Sequence, residues 1–228
     1  MTRSCANENA NTWSCEDVQA VKFVRENSTI PVPDVLEVHI SGPDSWFRME
    51  RLPGTQLGEA WARMDERAQV VTTGQLKLYL KQLRELPVPS TASIGSLSSG
   101  SAYDHRLNNG FPCGPFASVA EFHDFLVAPV LRSPRPEWSG EYCRLLNDNY
   151  MIQFAHADLS FENILVNEHT GKVTAILDWE MAGFWPEWWE FLKALYGGRS
   201  LPWWFAVVKN TMPCYNQELE VECDLEMF

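Results

Sequence analysis

Apolar positions along the chain switch between helical and extended spacing. Val18, Val21, Phe23 and Val24 recur near helical spacing, predicting a helix over 15 to 27 that Asn27 can stop. Ile30-Pro31-Val32-Pro33 must be extended, because each proline pushes its predecessor out of the α region. Residues 35 to 40 and 46 to 50 read as two strands joined by a turn at Gly42-Pro43-Asp44. After Pro53-Gly54, a short helix over 57 to 63 and a long amphipathic one over 65 to 85 follow; the core face of the long one is expected at Val70, Val71, Leu76, Leu80 and Leu83. Residues 90 to 117 are rich in Ser, Gly, Pro and Asn and read as a long loop. A helix over 118 to 131 opens on the cap Ser118 with Glu121 in the capping-box position. Further helices are expected at about 139 to 150, 187 to 197 and 202 to 210. The tail over 217 to 227 alternates acidic and apolar residues, a period that suggests a strand or an acidic end that frays.

Composition narrows the class. The 228 residues are 45% hydrophobic, enough for a real core in one large domain or two small lobes. Eighteen basic against 30 acidic residues leave a formal net charge of -12, which repels a phosphate backbone and argues against a nucleic-acid partner. The same balance would favour a cationic or metal-bound substrate. No apolar run reaches membrane-spanning length and no apolar leader follows Met1. The six cysteines form no Cys-x-x-Cys pair, so a zinc site is not expected, and reduced thiols in a cytoplasmic protein are.

The most informative stretch is His156-Ala157-Asp158-Leu159-Ser160-Phe161-Glu162-Asn163, followed by Ile164-Leu165-Val166, a Gly-containing polar turn, and Val173-Thr174-Ala175-Ile176-Leu177-Asp178. Two apolar runs around such a turn predict a β-hairpin. If Asn167 faces Val173, then Asn163 faces Leu177, which brings Asn163 and Asp178 to one open end with Asp158 on the entering loop. A carboxylate, an amide and a second carboxylate in one place are what phosphoryl transfer requires: a proton acceptor and hard oxygen ligands for magnesium.

His-x-Asp-x-x-x-x-Asn, a short hairpin and then Asp178-Trp179-Glu180 resemble the catalytic core shared by aminoglycoside phosphotransferases and choline kinases. Residues 23 to 33, Met49-Glu50-Arg51-Leu52-Pro53-Gly54 and the segment from Gly183 to Glu190 are similar to further parts of that family, in its fungal branch. The resemblance implies an α+β, protein kinase-like fold: a mainly helical C-lobe from 53 to 228 carrying the hairpin, a reduced N-lobe and hinge from 15 to 52, and a flexible lead over 1 to 14. It implies ATP- and magnesium-dependent transfer to a hydroxyl of a small molecule, with Asp158 as catalytic base, His156 orienting the loop, Asn163 and Asp178 as magnesium ligands, and Glu50, Arg51 and Leu52 contacting adenine. A glycine-rich loop and a phosphate-binding lysine, which the resemblance places ahead of the first helix, have no counterpart in the fourteen residues that stand there; Lys22 lies inside the helix. The chain therefore reads as an N-terminally truncated member, either an enzyme or a pseudokinase that binds a ligand without turnover. Trp185, Trp188, Trp189, Trp203 and Trp204 can wall an acceptor pocket or pack between helices. Glu180 is open between a second metal contact and a surface charge, and Gly95 to Ser101 between a flexible linker and a phosphate loop.

Overall fold

A computed structural model describes residues 2–4, 13–41, 45–90 and 93–225. The expected turn at Gly42-Pro43-Asp44 lies outside them. Among the described residues, three small antiparallel sheets of three strands each are embedded among helices.

The first sheet has the order β1 (Thr2–Ser4), β3 (Trp46–Met49), β2 (Val35–His39). Thr2–Ser4 lies within the stretch expected to be an unpatterned lead, and it pairs with Trp46, Phe47 and Arg48. Helix α1 (Trp13–Asn27) precedes β2, burying Val18, Val21 and Val24 as its spacing predicts. Arg25 bridges from it to Asp34 and to the Val32 carbonyl, fixing the extended Pro-rich segment.

The second sheet is the predicted hairpin with one added strand: β4 (Thr55–Gln56), β7 (Ile164–Val166), β8 (Val173–Ile176). Ile164 faces Ile176, Leu165 faces Ala175, and the pairing slips between Leu165 and Val166, so Val166 faces Val173. Asn167 donates to the Lys172 carbonyl rather than facing Val173. The bulge absorbs one residue near the turn and leaves the expected register intact at the open end, where the Leu177 N–H donates to the Asn163 carbonyl at 2.8 Å.

Helices α2 (Leu57–Ala60) and α3 (Glu66–Arg84) follow β4. Asp65 caps α3 by accepting from the Ala68 N–H. Its buried face is Ala68, Thr72, Leu76, Leu80 and Leu83. Val70, expected on that face, is 66% exposed, and Val71 is only half-buried. The hairpin turn explains the substitution. Gly171 sits at φ +70, and a Cβ there would lie 2.0 Å from the Ala68 carbonyl oxygen. Thr72 Oγ1 donates to the Gly171 carbonyl at 2.7 Å. So close a backbone approach needs small residues at 68 and 72 and turns the valines outward.

The third sheet runs β5 (Gly95–Ser96), β9 (Gly183–Pro186), β6 (Ile152–Ala155). The 90 to 117 stretch is thus more ordered than a linker, with further bridges at Ile94–Phe116 and Ala102–Cys113. Gly95 to Ser101 is a turn closed on itself by Ser96–Gly100 and Ser99–Ser96 backbone bonds, not a cradle of free N–H groups. Helix α4 (Val119–Val127) opens on the predicted cap, Ser118 accepting from the Glu121 N–H, while Glu121 reaches back one residue further than in a capping box and accepts from the Ala117 N–H. Helix α5 (Ser139–Leu145) ends before the expected 150, where Asn147 Oδ1 accepts from the Asn149 N–H and starts a turn.

Helices α6 (Trp189–Tyr196), α7 (Pro202–Thr211) and α8 (Asn216–Leu225) complete the described residues. The tail is therefore helical, not a strand or a frayed end. Glu218, Val221 and Glu222 recur at helical spacing and are buried, because Glu218 accepts from the Tyr150 hydroxyl and Glu222 pairs with Arg106. The tryptophans serve packing. Trp185, Trp188, Trp189 and Trp204 are essentially inaccessible; Trp185 stacks on Trp189, Phe122 meets both, and half-buried Trp203 stacks on Trp61.

Candidate functional site

The site lies at the open end of the hairpin. β6 delivers His156 into the interior, where the chain turns sharply: Ala157 adopts φ +59. His156 Nε2 is 2.9 Å from the Leu177 carbonyl, and its Nδ1 accepts from the Asp158 N–H at 3.1 Å. That pattern places the ring proton on Nε2. Complete burial holds the imidazole down at about 4, so the ring stays neutral and keeps this tautomer. The ring also packs on Trp179 at 4.4 Å. His156 thus ties the loop to the residues on either side of Asp178.

Asp158 and Asn163 are bonded directly. Asn163 Nδ2 donates to Asp158 Oδ2 at 3.0 Å and to the Asp158 carbonyl at 2.9 Å. Asn163 Nδ2 is committed to Asp158, which directs its Oδ1 elsewhere. Burial raises the Asp158 carboxyl to about 6; Lys193 opposes the rise, Asp178 adds to it, and the bond from Asn163 opposes it again. Asp178 follows the Leu177 that is bonded to Asn163, and it adopts φ +69, a left-handed conformation uncommon for aspartate. All three side chains are half-buried. Asp158 and Asn163 are thus joined directly, His156 reaches the Leu177 carbonyl, and Asp178 is the next residue of the chain. Glu180 is exposed beside them, and Asp158, Asp178 and Glu180 all help raise the Tyr103 hydroxyl, though burial is the main cause.

Glu50, Arg51 and Leu52 link β3 to β4. The Glu50 N–H donates to the Asp34 carbonyl at 2.8 Å, Arg51 is exposed and Leu52 half-buried. Past them, Gly54 at φ +138 lies against Thr174, where a Cβ would come within 2.4 Å of Oγ1. Gln56 Nε2 donates to the Glu162 carbonyl and the Gly58 N–H to the Phe161 carbonyl. The 50 to 52 segment is thus tethered to the same hairpin. Lys22 is exposed on α1, and Glu16 meets the Ser98 hydroxyl.

Sequence reading missed what lies behind the loop. Glu190 Oε2 accepts from the N–H groups of His156 at 2.6 Å and Ala157 at 3.2 Å. Burial pushes this carboxyl up to about 7 against those two bonds. One turn on, Lys193 Nζ sits 2.8 Å from Asp104 Oδ2, both side chains being inaccessible. Burial pulls the Lys193 ammonium down while Asp104 holds it up. The signal was available: one acid and one base in the apolar run Trp189-Glu190-Phe191-Leu192-Lys193-Ala194-Leu195 must be buried and paired.

A family model described as the phosphotransferase enzyme family, APH, matches residues 17–207. The chain belongs to this family. The chain also resembles solved structures. An aminoglycoside-3'-phosphotransferase of type VIII has a TM-score of 0.54 at 21% identity, over 93% of this chain and 79% of that one. APH(3'')-Id from Streptomyces rimosus, in complex with ADP and streptomycin, has a TM-score of 0.54 at 13% identity, over 94% and 82%. A streptomycin–ATP ternary complex of APH(2")-IIa gives 0.54 at 13%, over 94% and 80%. At these identities the likeness speaks for the fold, which is protein kinase-like and mixes helices with small sheets as expected. A search of the curated proteins finds no match.

Among the described residues, no group of three His, Cys, Asp or Glu side chains is placed to hold a metal, and no helix is long and apolar enough to cross a membrane. The donor set nevertheless fits magnesium, which takes one or two protein oxygens and completes its shell with phosphates and water rather than with an all-protein cage. Asn163 Oδ1 and the Asp178 carboxylate are hard oxygens of that kind.

Proposed function

We propose that this phosphotransferase moves the γ-phosphoryl group of ATP to a hydroxyl of a small molecule. The reading is carried by one observation: the Asn163 amide is bonded to the Asp158 carboxylate at the hairpin end that also bears Asp178. Asp158 takes the proton of the acceptor hydroxyl, whose oxygen bonds to the γ-phosphorus as the bond to the β-phosphate bridging oxygen breaks; ADP leaves. A carboxyl raised to about 6 is ionised at neutral pH and is a stronger base than an ordinary aspartate. Asn163 and Asp178 would hold magnesium, which supplies neutralisation of phosphate charge when bound. The backbone of Glu50 to Leu52 would receive adenine, tethered to the hairpin through β4. His156 and Glu190 hold the loop in its turn, so that Asp158 needs no rearrangement to meet the hydroxyl.

The test is ADP release with magnesium and ATP across a panel of hydroxylated acceptors, for the wild type and Asp158→Asn. The variant should lose roughly 10²- to 10⁴-fold in kcat. Equal turnover by both would remove Asp158 from the chemistry.

A further inference from the structure

Behind the loop that carries Asp158, a small cavity lies between the end of α3, β6, the start of α6 and the segment from Met212 to Tyr215. It leaves about 10 Å³ for the centre of a water molecule. One water needs roughly that much, and a metabolite needs far more. Glu190 is in its wall. Glu190 spends Oε2 on the N–H groups of His156 and Ala157. Its Oε1 is buried and has no hydrogen-bond partner among the described residues. A buried carboxylate oxygen in that state is costly, and ordered water is the usual partner where polar groups surround a space of this size.

Such a water needs partners besides Glu190. Arg84 and Gln153, both half-buried, line the same cavity. The Tyr215 hydroxyl also lines it, but donates to Glu187 Oε2 at 3.2 Å. Burial pulls the Arg84 guanidinium down, while Tyr215 and Glu190 hold it up. On its other sides Glu190 faces Asp158 and His156, which burial keeps neutral, and Lys193, which is engaged by Asp104 at 2.8 Å. Arg84 is thus the cation on the cavity side of this carboxylate.

We propose that one water molecule bridges Glu190 Oε1 and Arg84, and that Arg84 is thereby a positioning residue for the loop bearing Asp158. The water donates to Oε1 and accepts from the guanidinium, so the carboxylate that grips the loop is satisfied at both oxygens. Calling this loop catalytic rests on the phosphotransferase reading above; the water site does not.

Two measurements on the full chain test this, and neither uses nucleotide. A crystal structure of the wild type that resolves ordered water should show one peak within hydrogen-bond reach of both Glu190 Oε1 and Arg84. An empty cavity, or a guanidinium bonded directly to Oε1, would overturn the proposal. Urea unfolding between about pH 5 and pH 9 then compares wild type, Arg84→Met and Arg84→Lys. The Glu190 carboxyl sits at about 7, and loss of the cation raises it. The fall of stability with rising pH should therefore extend about one pH unit further in Arg84→Met and match wild type in Arg84→Lys. In a Glu190→Gln background, Arg84→Met should not move the profile. Coincident profiles for wild type and Arg84→Met, or a displacement that survives in Glu190→Gln, would also overturn it, whatever the phosphotransfer assay shows.

Discussion

Replacing Glu190 separates its two contributions. Its Oε2 accepts from two buried N–H groups, those of His156 and Ala157. Glu190→Ala leaves both donors without an acceptor, at about 1–3 kcal/mol each. Glu190→Gln keeps an acceptor oxygen and removes the ionisation. The wild-type carboxyl has an ordinary value of 4.5 and sits at about 7 in the fold, chiefly through burial. Between those values the native state holds a proton that the unfolded chain has released, so wild-type stability falls as pH rises through this window. Integrated from pH 5 to pH 8, the loss is about 2–3 kcal/mol. Glu190→Gln lacks this loss. Urea unfolding followed by tryptophan fluorescence at pH 5 and pH 8 should therefore show the gap between Gln and Glu widening in favour of Gln. Glu190→Ala should be the least stable variant at pH 5. A gap that does not move with pH would refute the buried-carboxylate account, and an alanine variant as stable as glutamine would refute the anchoring of the loop.

Other substitutions probe neighbouring parts. Asn163→Ala should reduce kcat by roughly 100-fold or more while denaturation shifts by no more than about 1 kcal/mol, since the residue is only half-buried. Lys193→Met takes the nearest cation from fully buried Asp104, leaving it the Arg106 N–H at 2.9 Å and the Arg106 guanidinium at 3.8 Å, and should cost up to about 3–5 kcal/mol in urea titrations. Gly171→Ala combines a positive φ with a clash against the Ala68 backbone and should lower stability by at least about 2 kcal/mol, whereas Gly140→Ala, in open space inside α5, should be neutral or stabilising.

Local signals made the site legible. The polar turn between two apolar runs defined the hairpin, and counting outward from it put Asn163 opposite Leu177, as observed. The bulge at Leu165 and Val166 was invisible, since nothing in those apolar letters marks the slip. What escaped depended on distant partners. Gly183–Pro186 is buried throughout and so lacks the two-residue alternation of a half-exposed strand. On α3, hydrophobicity favoured Val70 and Val71 over Ala68 and Thr72, because the close approach of Gly171 is not written in the helix itself. In α8, the alternation of acidic and apolar letters suggested a strand or a frayed end, yet Glu218 and Glu222 lie one helical turn apart and meet Tyr150 and Arg106. Tertiary pairing overrode local pattern each time.

The central claim is that the hairpin end binds a magnesium nucleotide through Asn163 and Asp178. Titration calorimetry of ATP into the wild type, with and without magnesium, and into Asp178→Ala tests it most directly. Saturable heat that requires the metal and disappears in the variant is the predicted result. No heat at millimolar nucleotide, or the same affinity in Asp178→Ala, would contradict it.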